Sequence, residues 1–188
     1  MIYKASAAWL SKRINCTLEG ILTQCHGCCE SKFYPCTIPE QNVYNHCFWL
    51  GDKGCKLNMD EEPVLCMLYP IIFNDNHTMI LFARSLFQSC KKTYKQGEKS
   101  ILENQSNQII HIFGQEFYDL MYKSIIVNQK DFYFEMPRYV LACIAIENLL
   151  ETMHEIPMKR TEYEKRFPEY FTGAINITTT LSHNPKVI

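Results

Sequence analysis

The placement of the cysteines constrains this chain more than any other feature. Eight of its ten cysteines fall within the first 66 residues, and they are Cys16, Cys25, Cys28, Cys29, Cys36, Cys47, Cys55 and Cys66. Thiols in a reducing compartment do not persist as structural disulfides, so such a cluster indicates metal binding or catalysis. The alternative is a secreted disulfide framework. It is disfavoured because no signal-peptide pattern precedes the cysteines and the rest of the chain is apolar enough to build a core.

The segment from residue 16 to about residue 70 shows neither helical nor strand periodicity. Four prolines and four glycines interrupt it, at Pro35, Pro39, Pro63, Pro70, Gly20, Gly27, Gly51 and Gly54. A bound metal can organise such a segment, because the free energy of ligation becomes free energy of folding, on the order of 10 kcal/mol for a structural site. We therefore expect this region to be held together by a metal.

The remaining sequence predicts regular structure. Residues 1 to about 15 are interpreted as a short helix. Two apolar runs, Ile71–Phe73 and Met79–Phe82, flank the turn formers Asn74–His77 and predict a β-hairpin. The fold class expected is thus α+β, with an irregular metal-organised cysteine-rich N-terminal half, a small β-hairpin and a helical C-terminal subdomain.

Helical spacing of apolar residues dominates the C-terminal half. One helix is expected from an N-cap at Ser106 to Met121, and a second from Pro137 to about Pro157. A third is expected from Thr161 to Phe167, stopped by Pro168. We predict a single domain over residues 1–172, with a metal-binding region at 16–90, a helical subdomain at 100–170 and a flexible tail at 173–188.

The strongest local motif is Cys25-His26-Gly27-Cys28-Cys29. A C-x-x-C loop with an internal glycine turns tightly enough for two thiolates to reach one ion. The adjacent Cys29 points elsewhere, which suggests a multinuclear site or two neighbouring sites.

Further along, the chain carries Cys47-Phe48-Trp49-Leu50, then Gly54-Cys55, then Pro63-Val64-Leu65-Cys66-Met67-Leu68-Tyr69-Pro70. In this order the motifs resemble the YkgJ-like CxxCxxCC family of zinc- or iron-chelating cysteine-cluster proteins, which includes the flagellin lysine methylases. The resemblance covers about Cys25 to Cys90. Two positions depart from the pattern: Leu22 stands where the motif has its first cysteine, and Glu61-Glu62 precede Pro63 without the usual arginine.

The resemblance implies a thiolate-bound metal centre. The predicted ligands are Cys25, Cys28, Cys29, Cys36, Cys47, Cys55, Cys66 and Cys90, with Cys16, His26 and His46 as open alternatives. An all-thiolate set excludes magnesium and calcium. Cys47, Cys55 and Cys66, in the second part of the motif, are widely spaced. An iron–sulfur cluster is therefore favoured over zinc, because zinc sites are usually formed by two short Cys-containing loops. Cys143 falls on the apolar side of the second predicted helix and is expected in the core.

Composition limits the function classes. The net charge of −1 argues against nucleic-acid binding, and no apolar run approaches the length of a membrane span. Phosphate-loop and nucleophile-elbow motifs are absent from the sequence. We expect a cytoplasmic protein with a structural or redox metal site and another protein as its partner. The alternative is a metal-dependent protein-modifying transferase similar to the flagellin lysine methylases.

Overall fold

The computed structural model describes residues 2–13, 49–51, 54–68, 71–73, 78–81, 99–153 and 158–174. The strands are β1 (Ile2–Ala5), β2 (Leu50–Gly51), β3 (Gly54–Cys55), β4 (Ile71–Phe73), β5 (Thr78–Leu81) and β6 (Phe132–Glu135). The helices are α1 (Ala7–Leu10), α2 (Val64–Leu68), α3 (Ile101–Asn104), α4 (Ser106–Phe113), α5 (Gln115–Tyr122), α6 (Arg138–Thr152), α7 (Tyr163–Arg166) and α8 (Pro168–Thr172). A π-helical turn (Lys123–Val127) and a 3₁₀ turn (Arg160–Glu162) complete the described elements. Helices and small sheets are combined, as the α+β expectation requires.

The chain divides into two compact units. The described residues of the first unit are 2–13, 68, 71–73, 78–81 and 99–137, and those of the second unit are 49–51, 54–67, 138–153 and 158–174. Each unit therefore joins segments that are far apart in the sequence. The expectation of one domain over residues 1–172 stays a prediction.

The first unit contains a four-stranded sheet in the order β4-β5-β1-β6. β1 pairs in parallel with β5 and antiparallel with β6, and the predicted hairpin is confirmed as the antiparallel pair β4–β5. Aromatic rings of α4 and α5 pack against β6. The centroid of the Phe117 ring lies 5.0 Å from that of Phe134 and 4.6 Å from that of Phe113. The predicted turn Asn74–His77 lies outside the described residues.

The predicted helix over residues 1–15 is wrong in its first part. Residues 2–5 form a strand and only residues 7–10 are helical. Tyr3 and Ala5 are buried while Ile2 is exposed, so the alternation is that of a strand whose two faces differ. The pairing partners of β1 lie at residues 78–79 and 132–135, and no local pattern encodes them.

A capping box opens α3 in the first unit. The Ser100 hydroxyl accepts a hydrogen bond from the Glu103 N–H at 3.2 Å, and the Glu103 carboxylate accepts one from the Ser100 N–H at 2.7 Å. The Ser100 hydroxyl also donates to the Glu103 carboxylate at 2.7 Å, and this bond, followed by the one from the Ser100 N–H, lowers the pKa of Glu103. Ser106, the predicted cap, is instead the first residue of α4, because α3 already precedes it.

Replacing Ser100 with Ala is expected to lower the free energy of unfolding by about 1 kcal/mol, because the Glu103 N–H loses its acceptor and the Glu103 carboxylate loses the hydroxyl donor. Urea unfolding followed by Trp9 fluorescence in a Trp49→Phe background measures the change. The exposed neighbour substitution Lys99→Ala should leave the midpoint nearly unaltered. Equal midpoints for Ser100→Ala and its parent would contradict the capping role.

The second unit is built on α6, which begins directly after Pro137 as predicted. It buries residues on most of its circumference, including Val140, Ile146 and Leu150. The helix before Pro168 ends at Arg166, as predicted, and Pro168 also opens α8, where its missing N–H costs nothing at the first helical position. The predicted helix over 161–167 is realised as a 3₁₀ turn followed by the one-turn helix α7.

Two predicted boundaries lie outside the described residues: Pro157 at the end of the second helix, and most of the tail at 173–188. The helix that was expected to reach Pro157 ends at Thr152. Across the described part of the chain, every helix is too short or too polar to span a lipid bilayer.

Candidate metal centre

Two of the eight predicted ligands, Cys55 and Cys66, belong to the described residues. Both lie in the second unit. The other six, Cys25, Cys28, Cys29, Cys36, Cys47 and Cys90, lie outside the described residues, as do the alternatives Cys16, His26 and His46.

Cys55 lies on a short hairpin. β2 and β3 pair antiparallel, with Leu50 opposite Cys55 and Gly51 opposite Gly54. The Lys56 N–H donates to the Trp49 carbonyl at 2.8 Å and closes the hairpin. Cys55 is exposed, so its sulfur is accessible to a ligand.

A loop leads from Cys55 to Cys66, and it is organised first by Asn58. The Asn58 side-chain oxygen accepts from the N–H groups of Asp60 at 2.9 Å and Glu61 at 3.1 Å. The Asn58 carbonyl accepts from the N–H groups of Glu61 and Glu62, both at 3.0 Å. This is the Asx-turn chemistry for which asparagine is suited, and it makes residues 58–62 a compact turn.

Lys159 and Arg160, which are far from this loop in the sequence, also bind it. The Arg160 guanidinium donates to the carbonyls of Met59 at 2.6 Å and Glu62 at 3.1 Å, and its own N–H donates to the Glu61 carbonyl at 2.7 Å. Lys159 forms an ion pair with Glu61, with Nζ 2.7 Å from Oε1. Arg160 is buried, so the hydrogen bonds of its guanidinium are shielded from competing water.

Cys66 lies in α2, a helix of five residues that follows Pro63. So short a helix gains little stability from its own hydrogen bonds, and its first N–H groups need partners from elsewhere. Glu147 of α6 provides them: one carboxylate oxygen accepts from the Val64 N–H at 2.7 Å and the other from the Leu65 N–H at 2.8 Å. Cys66 itself is only partly buried.

The Glu147 carboxylate is held by three hydrogen bonds and is largely removed from water. The Tyr163 hydroxyl donates to its Oε1 at 3.3 Å. Desolvation raises the pKa of Glu147 to about 7, although the two backbone bonds and the Tyr163 bond act in the opposite direction. Burial also raises the pKa of Tyr163 well above its usual range, which keeps that hydroxyl protonated as a donor.

Cys143 differs from the two described candidate ligands. It is fully buried on α6, which confirms its prediction as a core residue. Burial, with the nearby Glu147 charge as a second cause, raises the pKa of the Cys143 thiol to about 12. A thiol that keeps its proton at neutral pH is a poor metal ligand.

Among the residues that the structure describes, no three His, Cys, Asp or Glu side chains come together as a metal-holding group. Cys55 and Cys66 alone cannot complete a four-coordinate thiolate site. The predicted centre therefore requires ligands from the cysteines outside the described residues.

Sequence reasoning missed the residues that support the Cys66 segment, namely Glu147, Lys159, Arg160 and Tyr163. One signal was present: Glu147 directly follows the apolar run Ile144-Ala145-Ile146, and a carboxylate beside a buried face needs a partner. The partner itself lies 82 to 83 positions away, beyond the reach of a local pattern.

Comparison with known proteins identifies no relative: no family model, no curated protein and no solved structure matches the chain.

Proposed function

We propose that this chain is a cysteine-cluster metal-binding protein that carries an iron–sulfur cluster or, alternatively, zinc. The ligands we propose are Cys25, Cys28, Cys29, Cys36, Cys47, Cys55, Cys66 and Cys90. The observation that supports this best is the setting of Cys66, which stays partly exposed while the start of its short helix is held by the distant Glu147.

The chemistry of the described donors fits a thiophilic metal. Cys55 and Cys66 are accessible and come from motifs that resemble a chelating family, whereas Cys143 is buried and protonated. Thiolates select zinc, copper(I) or iron–sulfur clusters over hard cations. The wide spacing of Cys47, Cys55 and Cys66 along the sequence favours the cluster.

A bound iron–sulfur cluster would supply one-electron redox chemistry or a structural cross-link. The residues of this chain would hold it: the β2–β3 hairpin presents Cys55, and α2 presents Cys66. We infer a structural or redox role in the cytoplasm, where thiols stay reduced, with another protein as partner.

Metal and sulfide analysis of the anaerobically purified chain tests the proposal. We expect iron with acid-labile sulfide, or zinc, at near-stoichiometric levels. Cys66→Ala should lose most of this metal, because a ligand cannot be removed from a closed thiolate site without weakening the site as a whole.

Cys143→Ala is the matched control, since it removes a cysteine of the same unit that we place in the core. It should retain its metal. Wild-type protein without iron or zinc would refute metal binding, and equal metal content in Cys66→Ala and Cys143→Ala would refute the role of Cys66.

A further inference from the structure

We propose that Glu147 is a positioning residue for the metal centre, which fixes the orientation of Cys66 before metal binds. This inference rests on the proposed metal-binding function and assigns a role to a residue that is not itself a ligand. Glu147 lies on α6 and Cys66 lies on α2, both residues belong to the second unit, and the start of α2 is hydrogen-bonded to Glu147.

The geometry is a two-point attachment. Each carboxylate oxygen of Glu147 accepts one bond, from successive N–H groups of Val64 and Leu65, at 2.7 and 2.8 Å. Two bonds to neighbouring amides define the direction of the helix start as well as its position. Cys66 is the next residue, so its Cα–Cβ direction is set by the same attachment.

Two further contacts hold the attachment in place. Tyr163 donates its hydroxyl to Oε1 of Glu147 at 3.3 Å, which restrains the carboxylate. Arg160 binds the carbonyls of Met59 and Glu62, on the other side of Pro63 from α2. The backbone is thus anchored on both sides of Pro63 by residues more than 80 positions away.

Helix stability alone is a poor explanation for this carboxylate. A serine or aspartate at the helix start would cap α2 locally, without bringing an ionisable group into a desolvated site. Burying a carboxylate is costly, and its best-attested benefit is a specific geometry. Residues that orient metal ligands through hydrogen bonds commonly increase metal affinity about 10- to 100-fold.

The test is a chelator challenge of the metal-loaded full-length chain. Glu147→Gln keeps the shape of the side chain but offers one acceptor oxygen to two N–H groups, so one amide at the start of α2 loses its partner. We expect the metal to be released to EDTA about 10 to 100 times faster than from wild type. Loss of visible absorption follows release from a cluster, and a chromogenic dye follows zinc.

Two comparison variants separate positioning from general stability. Leu150→Ala removes a buried side chain three positions along α6 and destabilises the same helix while leaving the Glu147 carboxylate in place, so its release rate should stay near wild type. Tyr163→Phe keeps the ring but removes the bond to Glu147, so it should accelerate release by about threefold to tenfold.

The outcomes are distinguishable. Wild-type release from Glu147→Gln would overturn the positioning role while the metal-binding proposal stands, and so would equal acceleration by Leu150→Ala. Wild-type protein that binds no metal overturns the metal-binding proposal and this inference with it. If circular dichroism shows that Glu147→Gln does not fold, Tyr163→Phe decides, and an unchanged release rate in that variant rejects the proposal.

Discussion

Replacing Arg160 with Ala is expected to lower the free energy of unfolding by about 3 kcal/mol, which is more than a hundredfold in the folding equilibrium. The guanidinium donates to the carbonyls of Met59 and Glu62 from a buried position. Its removal leaves two acceptors without their charged donor in a region where water replaces it poorly. Urea unfolding followed by Trp49 fluorescence, in a Trp9→Phe background, reports on the second unit.

Arg166→Ala is the matched control for this change. Arg166 is exposed on α7 with its guanidinium 5.3 Å from the centre of the Phe167 ring, so its loss should cost less than about 1 kcal/mol. The loss in free energy of unfolding for Arg160→Lys should fall between those of the two alanine variants, because a single ammonium lacks the planar guanidinium that reaches both carbonyls. Equal midpoints for Arg160→Ala and Arg166→Ala would show that the loop does not depend on Arg160.

The second large expected effect is a pH dependence of the free energy of unfolding that arises from Glu147. Its pKa is raised from the ordinary 4.5 to about 7, mainly by desolvation. Below about pH 4.5 the carboxyl is protonated in both states, and its stabilising contribution is complete. As pH rises towards 7, the unfolded chain releases this proton while the folded chain keeps it, so unfolding becomes more favourable. The loss reaches about 3 kcal/mol at most once the pH exceeds the folded pKa.

Glu147→Gln carries no titrating group at this position. The stability of wild type relative to this variant should therefore decrease between about pH 5 and pH 8, with the other carboxyls and histidines cancelling in the difference. A ¹³C NMR titration of the glutamate carboxyls gives the direct measurement. We expect one resonance to titrate near pH 7 and to be missing from Glu147→Gln. A wild-type spectrum in which every glutamate titrates near 4.5 would contradict the desolvated setting of this side chain.

Local patterns predicted the elements whose determinants are local. The hairpin β4–β5 follows from two short apolar runs around turn formers, and the start of α6 follows from Pro137. Cys143 was placed in the core by its position on the apolar side of that helix. In each case the neighbouring residues carry enough information to determine the outcome.

Long-range pairing accounts for the misses. Ile2–Ala5 becomes a strand because β5 and β6 supply its partners, and Phe132–Glu135 becomes a strand although the sequence pattern predicts helices in that half of the chain. The sequence predicts a cap at Ser106 because the short helix α3 before it has little periodicity of its own. Glu147 escaped notice as a supporting residue because its partners, the amides of Val64 and Leu65, carry no side-chain signature at all.

The position of β1 has a consequence for biosynthesis. This strand lies between β5 and β6 in the sheet, and Ala7, just after it, donates its N–H to the Asp131 carboxylate 124 positions away. At about 5 to 20 residues per second, the ribosome needs roughly 6 to 25 s to make the intervening chain. During that interval one edge of β1 is unpaired, so we expect the sheet of the first unit to close late, after β6 has been made.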